Sequence, residues 1–245
     1  MGAGMDYDAT FTQRARAYTY AVKTYPETLK EEFTTAVKMC QPFSQGDRLV
    51  NIPAACIDID AFLPPGVEHI PIETNAEFAR LNGVPVGKFD AIPLEDGAAT
   101  HILCLASLHH ATVAERQEFY AEAWRVLRPG GRLVIGDVAE GTRQAAWLNE
   151  FVDAHNSLGH KGLFWKEGDT GLIAAAGFET TTCLRSYEWR SAGPEAEIDF
   201  VSHLFGLDRA TDEEIVAGLN QYFPGRVVGA ELPWALRYFI AVKPT

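Results

Sequence analysis

Two adjacent histidines, His109 and His110, directly follow an apolar stretch that ends at Leu108. Such a stretch is typical of a buried strand, and open α/β sheets bind ligands just beyond the carboxyl ends of their strands. Because imidazole titrates near neutral pH, either histidine could take a proton from a reacting group. The alternative is a structural role for the pair, and both interpretations stand at this point.

Two carboxylates occupy comparable positions upstream. Glu73 closes the run VEHIPIE and precedes the helical segment NAEFARL, and Asp90 stands before Ala91 and Ile92. Carboxylates at strand ends accept hydrogen bonds from the hydroxyl or amino groups of ligands. A solvated loop carboxylate has the same appearance in a sequence, so a structural interpretation also stands for each.

Alternating strand and helix patterns would position these residues. Beyond Gly46, β-branched or aromatic runs resemble buried strands; they read RLVNIPA, VEHIPIE, ATHILCLAS, GRLVIGDV, ETTTCLRSYEW and LRYFIAVK. The clearest helix reads AERQEFYAEAWRVL, and the Arg-Pro-Gly-Gly of residues 128–131 ends it. Repeated strand-helix-strand units predict a parallel sheet with helices on both faces.

The N-terminal part differs from this rhythm. Residues 11–40 carry apolar side chains at helical spacing, and Pro26 separates two helices there. We therefore predict an N-terminal helical extension over residues 1–45 and a single α/β domain over residues 46–245. Helical inserts at about 141–166 and 195–222 interrupt this domain, where a lid would lie.

The amino-acid composition disfavours some classes of binding partner. With 33 acidic and 21 basic residues, the net charge of −12 repels phosphate backbones and anionic membranes, which disfavours nucleic-acid and membrane partners. The cysteines form no CxxC pair, as is typical of reduced thiols, and the first residues carry no targeting signal. We expect a cytoplasmic protein, with a homodimer compatible with these features.

A metal site is not expected from the sequence. His155 and His160 are five residues apart, a spacing that does not place them on one helix face, and no HExxH or paired Cys/His spacing occurs. The chain also has no GxxxxGK loop, which argues against a nucleotide hydrolase.

Residues 89–138 resemble the second half of a class I S-adenosylmethionine-dependent methyltransferase of the type 11 kind. The resemblance is carried by the Asp90-Ala91 pair, by Leu-His-His at 108–110 and by Arg-Val-Leu-Arg-Pro-Gly-Gly at 125–131. About fifty residues are covered well, and the later segments GLIAAAGFETTTC and LPWALRYFIAVKP agree. The resemblance implies a Rossmann-like, doubly wound, mostly parallel sheet of about seven strands with an antiparallel last strand.

The resemblance also implies a function. The cofactor would be S-adenosylmethionine, with S-adenosylhomocysteine as product and a small molecule as methyl acceptor. Glu73 would bind the ribose hydroxyls, Asp90 and Ala91 the adenine, and His109 or His110 would be the catalytic base. The full set of implied cofactor-binding residues is Asn51, Pro53, Ala54, Glu73, Asp90, Ala91 and Leu105. Residues expected to contact the acceptor are Tyr18, His155, Trp165 and His203.

The first turn departs from the family pattern. Pro53, Ala55 and Ile57 stand where three glycines are customary, and Asn51 replaces an acidic residue. A β-carbon fills space beside the ligand, and proline removes an N–H donor. Either the cofactor is retained with a different set of contacts, or the chain is a non-catalytic relative with lost or altered cofactor binding and a regulatory role.

Overall fold

The computed structural model describes residues 7–56 and 58–245. Its strands are β1 (Arg48–Asn51), β2 (Glu68–Pro71), β3 (Ala99–Leu105), β4 (Leu127–Asp137), β5 (Glu179–Arg190) and β6 (Glu231–Val242). They form one sheet in the order β2-β1-β3-β4-β6-β5. Strands β1 to β4 run parallel, and β6 runs antiparallel to both β4 and β5. The predicted Rossmann-like α/β fold is therefore confirmed.

The described part of the chain has a six-stranded sheet, whereas about seven strands were expected. The strand expected just before Asp90 is reduced to a single bridge between Glu73 and Val86. Lys88 and Ala91 then exchange two backbone hydrogen bonds of 3.2 Å across a tight turn. A proline and a glycine flank Val86, and both residue types interrupt strands.

Helices cover both faces of the sheet. They are α1 (Tyr7–Thr24), α2 (Lys30–Cys40), α3 (Ala76–Asn82), α4 (Val113–Val126), α5 (Arg143–Ala146), α6 (Asp153–His155), α7 (Thr170–Ala175), α8 (Pro194–Phe205) and α9 (Asp212–Tyr222). A π-helical turn, Trp147–Val152, joins α5 to α6. After β1 the described residues form only a 3-10 turn, Asp60–Phe62, because prolines at 64 and 65 end it.

Consecutive residues within a strand belong to two separate hydrophobic clusters. In β3, Leu103 packs with the N-terminal helices and the inserts, whereas Ile102 and Cys104 pack with α4 and α7. Successive side chains of a strand point to opposite faces. The N-terminal helices and most of both inserts therefore lie on one face of the sheet, and α4, α7 and Trp165 lie on the other.

Helix α2 docks on the first of these faces through one stripe of side chains. Its buried residues Phe33, Ala36, Val37 and Cys40 recur at spacings of three and four, as one face of a helix requires. Glu32 belongs to the same buried stripe. The helix thus carries a carboxylate into an apolar cluster.

Candidate functional site

A cavity of about 120 Å³ lies at the carboxyl ends of β1, β2 and β3, on the face covered by the N-terminal helices and the inserts. One buried water needs roughly 10–15 Å³, so the space admits a small organic molecule. Residues singled out in the sequence that line it are Tyr18, Pro53, Ala55, Glu73, Leu105, His109 and His110. Those outside its lining are Asn51, Ala54, Asp90, Ala91, His155, Trp165 and His203.

The turn after β1 keeps a glycine-like backbone without glycine. Ala55 has a φ of +50°, and Ala106 at the end of β3 has a φ of +46°. These are the only non-glycine residues in the described ranges with positive φ, and both line the cavity. An alanine in this region costs roughly 1–2 kcal/mol. Because backbone strain of this kind is concentrated at ligand-binding sites, it favours retained ligand binding over lost ligand binding. Ile57 lies outside the described residues.

Glu73 lies just beyond the end of β2 and accepts hydrogen bonds from three backbone N–H groups. Its Oε2 accepts from the Ala55 N–H at 2.6 Å, and its Oε1 accepts from the N–H groups of Thr74 at 2.7 Å and Asn75 at 2.9 Å. The side chain is buried, and burial raises the pKa of this carboxyl against the opposing effect of those hydrogen bonds. Each carboxylate oxygen has two lone pairs, so Glu73 retains acceptor capacity toward the cavity that it lines.

The remaining predicted cofactor residues lie outside the cavity lining. Asp90 and Ala91 are exposed in the tight turn, where the Ala91 N–H already donates to the Lys88 carbonyl. Asn51 and Ala54 are buried at the end of β1, and their backbones pair with Ile72. Because a tight turn replaces the strand that was expected just before Asp90, Asp90 and Ala91 lie at the surface.

His109 is held by a buried carboxylate. Its Nδ1 lies 2.7 Å from Oδ1 of Asp137, and its backbone N–H donates to Oδ2 at 2.9 Å. Burial alone would raise the pKa of Asp137, but the charge and hydrogen bond of His109 hold it below its ordinary value. With Nδ1 on the carboxylate, the ring orientation is set and Nε2 is left as the acceptor nitrogen.

Three histidines meet beside this pair. Each of His109, His110 and His160 offers one ring nitrogen, and these nitrogens lie within 4.8 Å of one another. Burial lowers the pKa of His110 and His160 well below 6.5, and the charge of Arg14 adds to the effect on both. Neutral imidazoles of this kind bind transition metals, but the same arginine would repel a dication.

Glu32 brings a second buried carboxylate to the cavity. Its Oε2 accepts from the Tyr187 hydroxyl and from the Trp189 indole N–H, each at 3.0 Å. Burial raises the pKa of Glu32 to about 7, and the negative charge of Asp137 acts in the same direction. The ring of Trp189 stacks on that of Trp234, with centroids 4.1 Å apart, and both rings line the cavity.

Three residues expected near the acceptor make contacts elsewhere. His155 stacks on the Phe151 ring, Trp165 packs between Arg116 and Phe239, and Nδ1 of His203 lies 2.8 Å from the Asp199 carbonyl. Each side chain thus has partners outside the cavity lining. Tyr18, by contrast, lines the cavity and meets the Phe78 ring edge-on at 5.5 Å.

Several cavity residues were not identified from the sequence. They are Arg14, Glu32, Trp189 and Trp234, whereas His160 was considered in the sequence only as a possible metal ligand and an insert residue. One signal was present for Glu32, because an acid within an apolar helical stripe is unusual unless it has a function. The tryptophans look like ordinary strand residues in the sequence.

Comparison with known proteins supports the earlier resemblance. Residues 69–135 match a methyltransferase domain family, and no curated protein matches the chain. An S-adenosylmethionine-dependent methyltransferase from Thermotoga maritima is 17% identical with a TM-score of 0.56, over 96% of this chain and 99% of that one. No helix within residues 7–56 and 58–245 combines the length and apolar character that crossing a bilayer demands.

Two ligand-bound structures share the fold. Haemonchus contortus phosphoethanolamine N-methyltransferase 2 in complex with S-adenosyl-L-methionine is 14% identical with a TM-score of 0.59, over 100% of this chain and 61% of that one. Geranyl diphosphate methyltransferase in complex with GPP and sinefungin is 14% identical with a TM-score of 0.55, over 87% of this chain and 77% of that one. The family match over residues 69–135 and the shared fold both agree with the resemblance to class I methyltransferases that the motifs of residues 89–138 carry.

Proposed function

We propose that this protein transfers the methyl group of S-adenosylmethionine to a small-molecule acceptor and releases S-adenosylhomocysteine. The observation that carries the proposal is the cavity at the strand ends, where Glu73 and the two strained alanines, Ala55 and Ala106, face the same space. When bound, the cofactor supplies an electrophilic methyl group on sulfur. Pro53, Glu73 and Leu105 line the part of the cavity that would hold it.

The chain's own residues supply position, exclusion of water and a proton acceptor. Asp137 fixes the ring of His109, which leaves this histidine, or the adjacent His110, to accept a proton from the substrate. Helix α1 packs against α8, and residues of both helices line the cavity. We propose that these helices enclose the acceptor, since methyl transfer needs an aligned and water-free approach.

The second candidate is a non-catalytic relative with lost or altered cofactor binding. The observation that favours it is the exposed position of Asp90, together with the use of the Ala91 N–H within its own turn. Titration calorimetry with S-adenosylmethionine and S-adenosylhomocysteine separates the two candidates. Binding at micromolar concentration supports the transferase, and the absence of heat and thermal shift at millimolar ligand leaves the non-catalytic relative.

Repeating this titration with an Asp90→Ala variant tests whether Asp90 contacts the adenine of the cofactor. Asp90 is exposed, and substitutions at exposed positions usually change stability by less than about 0.5 kcal/mol. A loss of cofactor affinity in this variant therefore reports a direct contact with the adenine. Glu95→Ala, a change at a neighbouring exposed carboxylate, is the matched control and should bind like the unaltered protein.

A further inference from the structure

Glu32 is a buried carboxylate for which the described part of the chain offers no cationic partner. Its side chain is 4% exposed and lines the cavity. Oε2 accepts its two hydrogen bonds from neutral donors, and in the described part of the chain Oε1 accepts none. None of the ion pairs within residues 7–56 and 58–245 includes Glu32. Proteins seldom bury a carboxylate without a compensating charge.

The groups that face Glu32 do not supply that charge. They are Asp137 of β4, Tyr187 of β5 and Tyr238 of β6, which are acidic or neutral. The charge of Arg14 acts on His110 and His160 instead. Among the described residues, no cation thus acts on Glu32, and the charge of Asp137 adds to its own, which favours a cationic ligand at this carboxylate.

The walls beside Glu32 are also suited to a cation. Trp189, whose indole N–H bonds to Glu32, stacks on Trp234 with an angle of 18° between the rings. The Phe205 ring lies 6.1 Å from Trp189 and 5.9 Å from Trp234, measured between centroids. All three rings line the cavity, and aromatic faces in a dry site attract ammonium groups.

We propose that the methyl acceptor is a small organic amine, whose ammonium group is bound by the Glu32 carboxylate among these aromatic rings. This inference rests on the proposed function, because it names the acceptor of the same reaction. A carboxylic acid would meet a like charge at Glu32. An alcohol would leave the carboxylate buried without a counter-charge, which is the costlier arrangement.

Two probes of nearly equal shape test the charge preference directly. Benzylamine and benzyl alcohol are titrated into the full chain by calorimetry at about pH 8, where Glu32 is ionised and the amine is protonated. The amine should bind at least about tenfold more tightly than the alcohol. Equal affinities, or the absence of binding by the amine at millimolar concentration, would overturn the proposal. This comparison needs no variant.

Substitution of Glu32 tests whether the preference for the amine depends on this carboxylate. Glu32→Gln keeps an acceptor for the Tyr187 and Trp189 donors but removes the charge, so amine affinity should fall at least about tenfold while alcohol affinity is unchanged. Glu31→Gln is the matched control, because Glu31 lies on the same helix and pairs with Arg190 at 3.3 Å. Unchanged amine affinity in Glu32→Gln, or an equal loss in both variants, contradicts the assignment.

A parallel titration with S-adenosylmethionine keeps the two proposals separable. Cofactor binding without a preference for the amine removes the acceptor assignment and leaves the transferase. A preference for the amine without cofactor binding supports an amine site and removes the transferase.

Discussion

The backbone N–H of Ala55 donates to Oε2 of Glu73 over 2.6 Å, which fastens the turn after β1 to the end of β2. The other oxygen of this carboxylate accepts from Thr74 and Asn75, where α3 begins. One buried side chain therefore joins the turn after β1 to the segment that connects β2 and α3. An alanine with a glycine-like backbone and the predicted ribose-binding carboxylate form a single structural unit.

Ala55→Gly should be tolerated and should not lower the free energy of unfolding. Glycine relieves the strain of a φ of +50°, which offsets the roughly 0.5–1 kcal/mol of entropy that glycine loses on folding. Ala54→Gly is the control, because Ala54 is buried and has no positive φ; it should cost about 1 kcal/mol. Urea denaturation measures both, and equal destabilisation by the two changes would contradict the strain argument.

Glu73→Gln should lower both stability and cofactor affinity. The amide replaces one of two acceptor oxygens with a donor, so buried backbone N–H groups lose their partner at a cost of about 1–3 kcal/mol. Glu68→Gln is the matched change, since Glu68 begins the strand that Glu73 follows and forms an exposed ion pair with Arg48; it should cost less than about 1 kcal/mol. Denaturation and calorimetric titration of both variants check this, and a wild-type-like Glu73→Gln protein would refute it.

Glu32 should make stability depend on pH between 4.5 and about 7. Its pKa is higher in the folded than in the unfolded protein, so its contribution is complete below pH 4.5 and is lost as pH rises through about 7. A shift of this size corresponds to about 3 kcal/mol. Glu32→Gln should therefore gain stability relative to the wild type across this window, as measured by urea denaturation at several pH values. Glu31→Gln should not show this gain, and parallel pH curves for Glu32→Gln and the wild type would count against the buried charge.

Asp137→Asn should damage both folding and catalysis. Asp137 is fully buried and accepts from the backbone N–H groups of His109 and Val138 as well as pairing with the His109 ring. Removing its charge should cost about 3–5 kcal/mol and release the imidazole from its fixed orientation. Asp96→Asn, at an exposed ion pair with Arg125, should stay within about 1 kcal/mol of the wild type.

The pH dependence of the same pair has the opposite sign to that of Glu32. The pKa of Asp137 is held below its ordinary value of 3.8 in the folded protein. Its contribution is therefore present above pH 3.8 and is lost as pH falls through the lower folded pKa. Acid unfolding followed by circular dichroism should show a smaller pH response in Asp137→Asn, and an unchanged response would contradict the pairing.

Local patterns in the sequence predicted most of the sheet. The apolar runs that became β1 to β6 and the helix stop at residues 128–131 depend on neighbours within a few positions, which is why they are visible without a structure. The strand expected just before Asp90 was wrong because its segment contains a proline and a glycine that weaken strand pairing. The same local reasoning singled out Glu73 and His109, and the family resemblance added Pro53; all three line the cavity.

The sequence by itself determined the class of fold, the family resemblance and the edge of the sheet where chemistry would occur, because strand ends follow from periodicity. Only the tertiary structure decided that Glu32 of α2 meets Trp189 of β5 and Trp234 of β6 in one cavity. Glu32 is more than a hundred positions from either tryptophan in the chain. Their contact is produced by burial of apolar faces against the sheet, a cooperative property of the whole fold that no local pattern records.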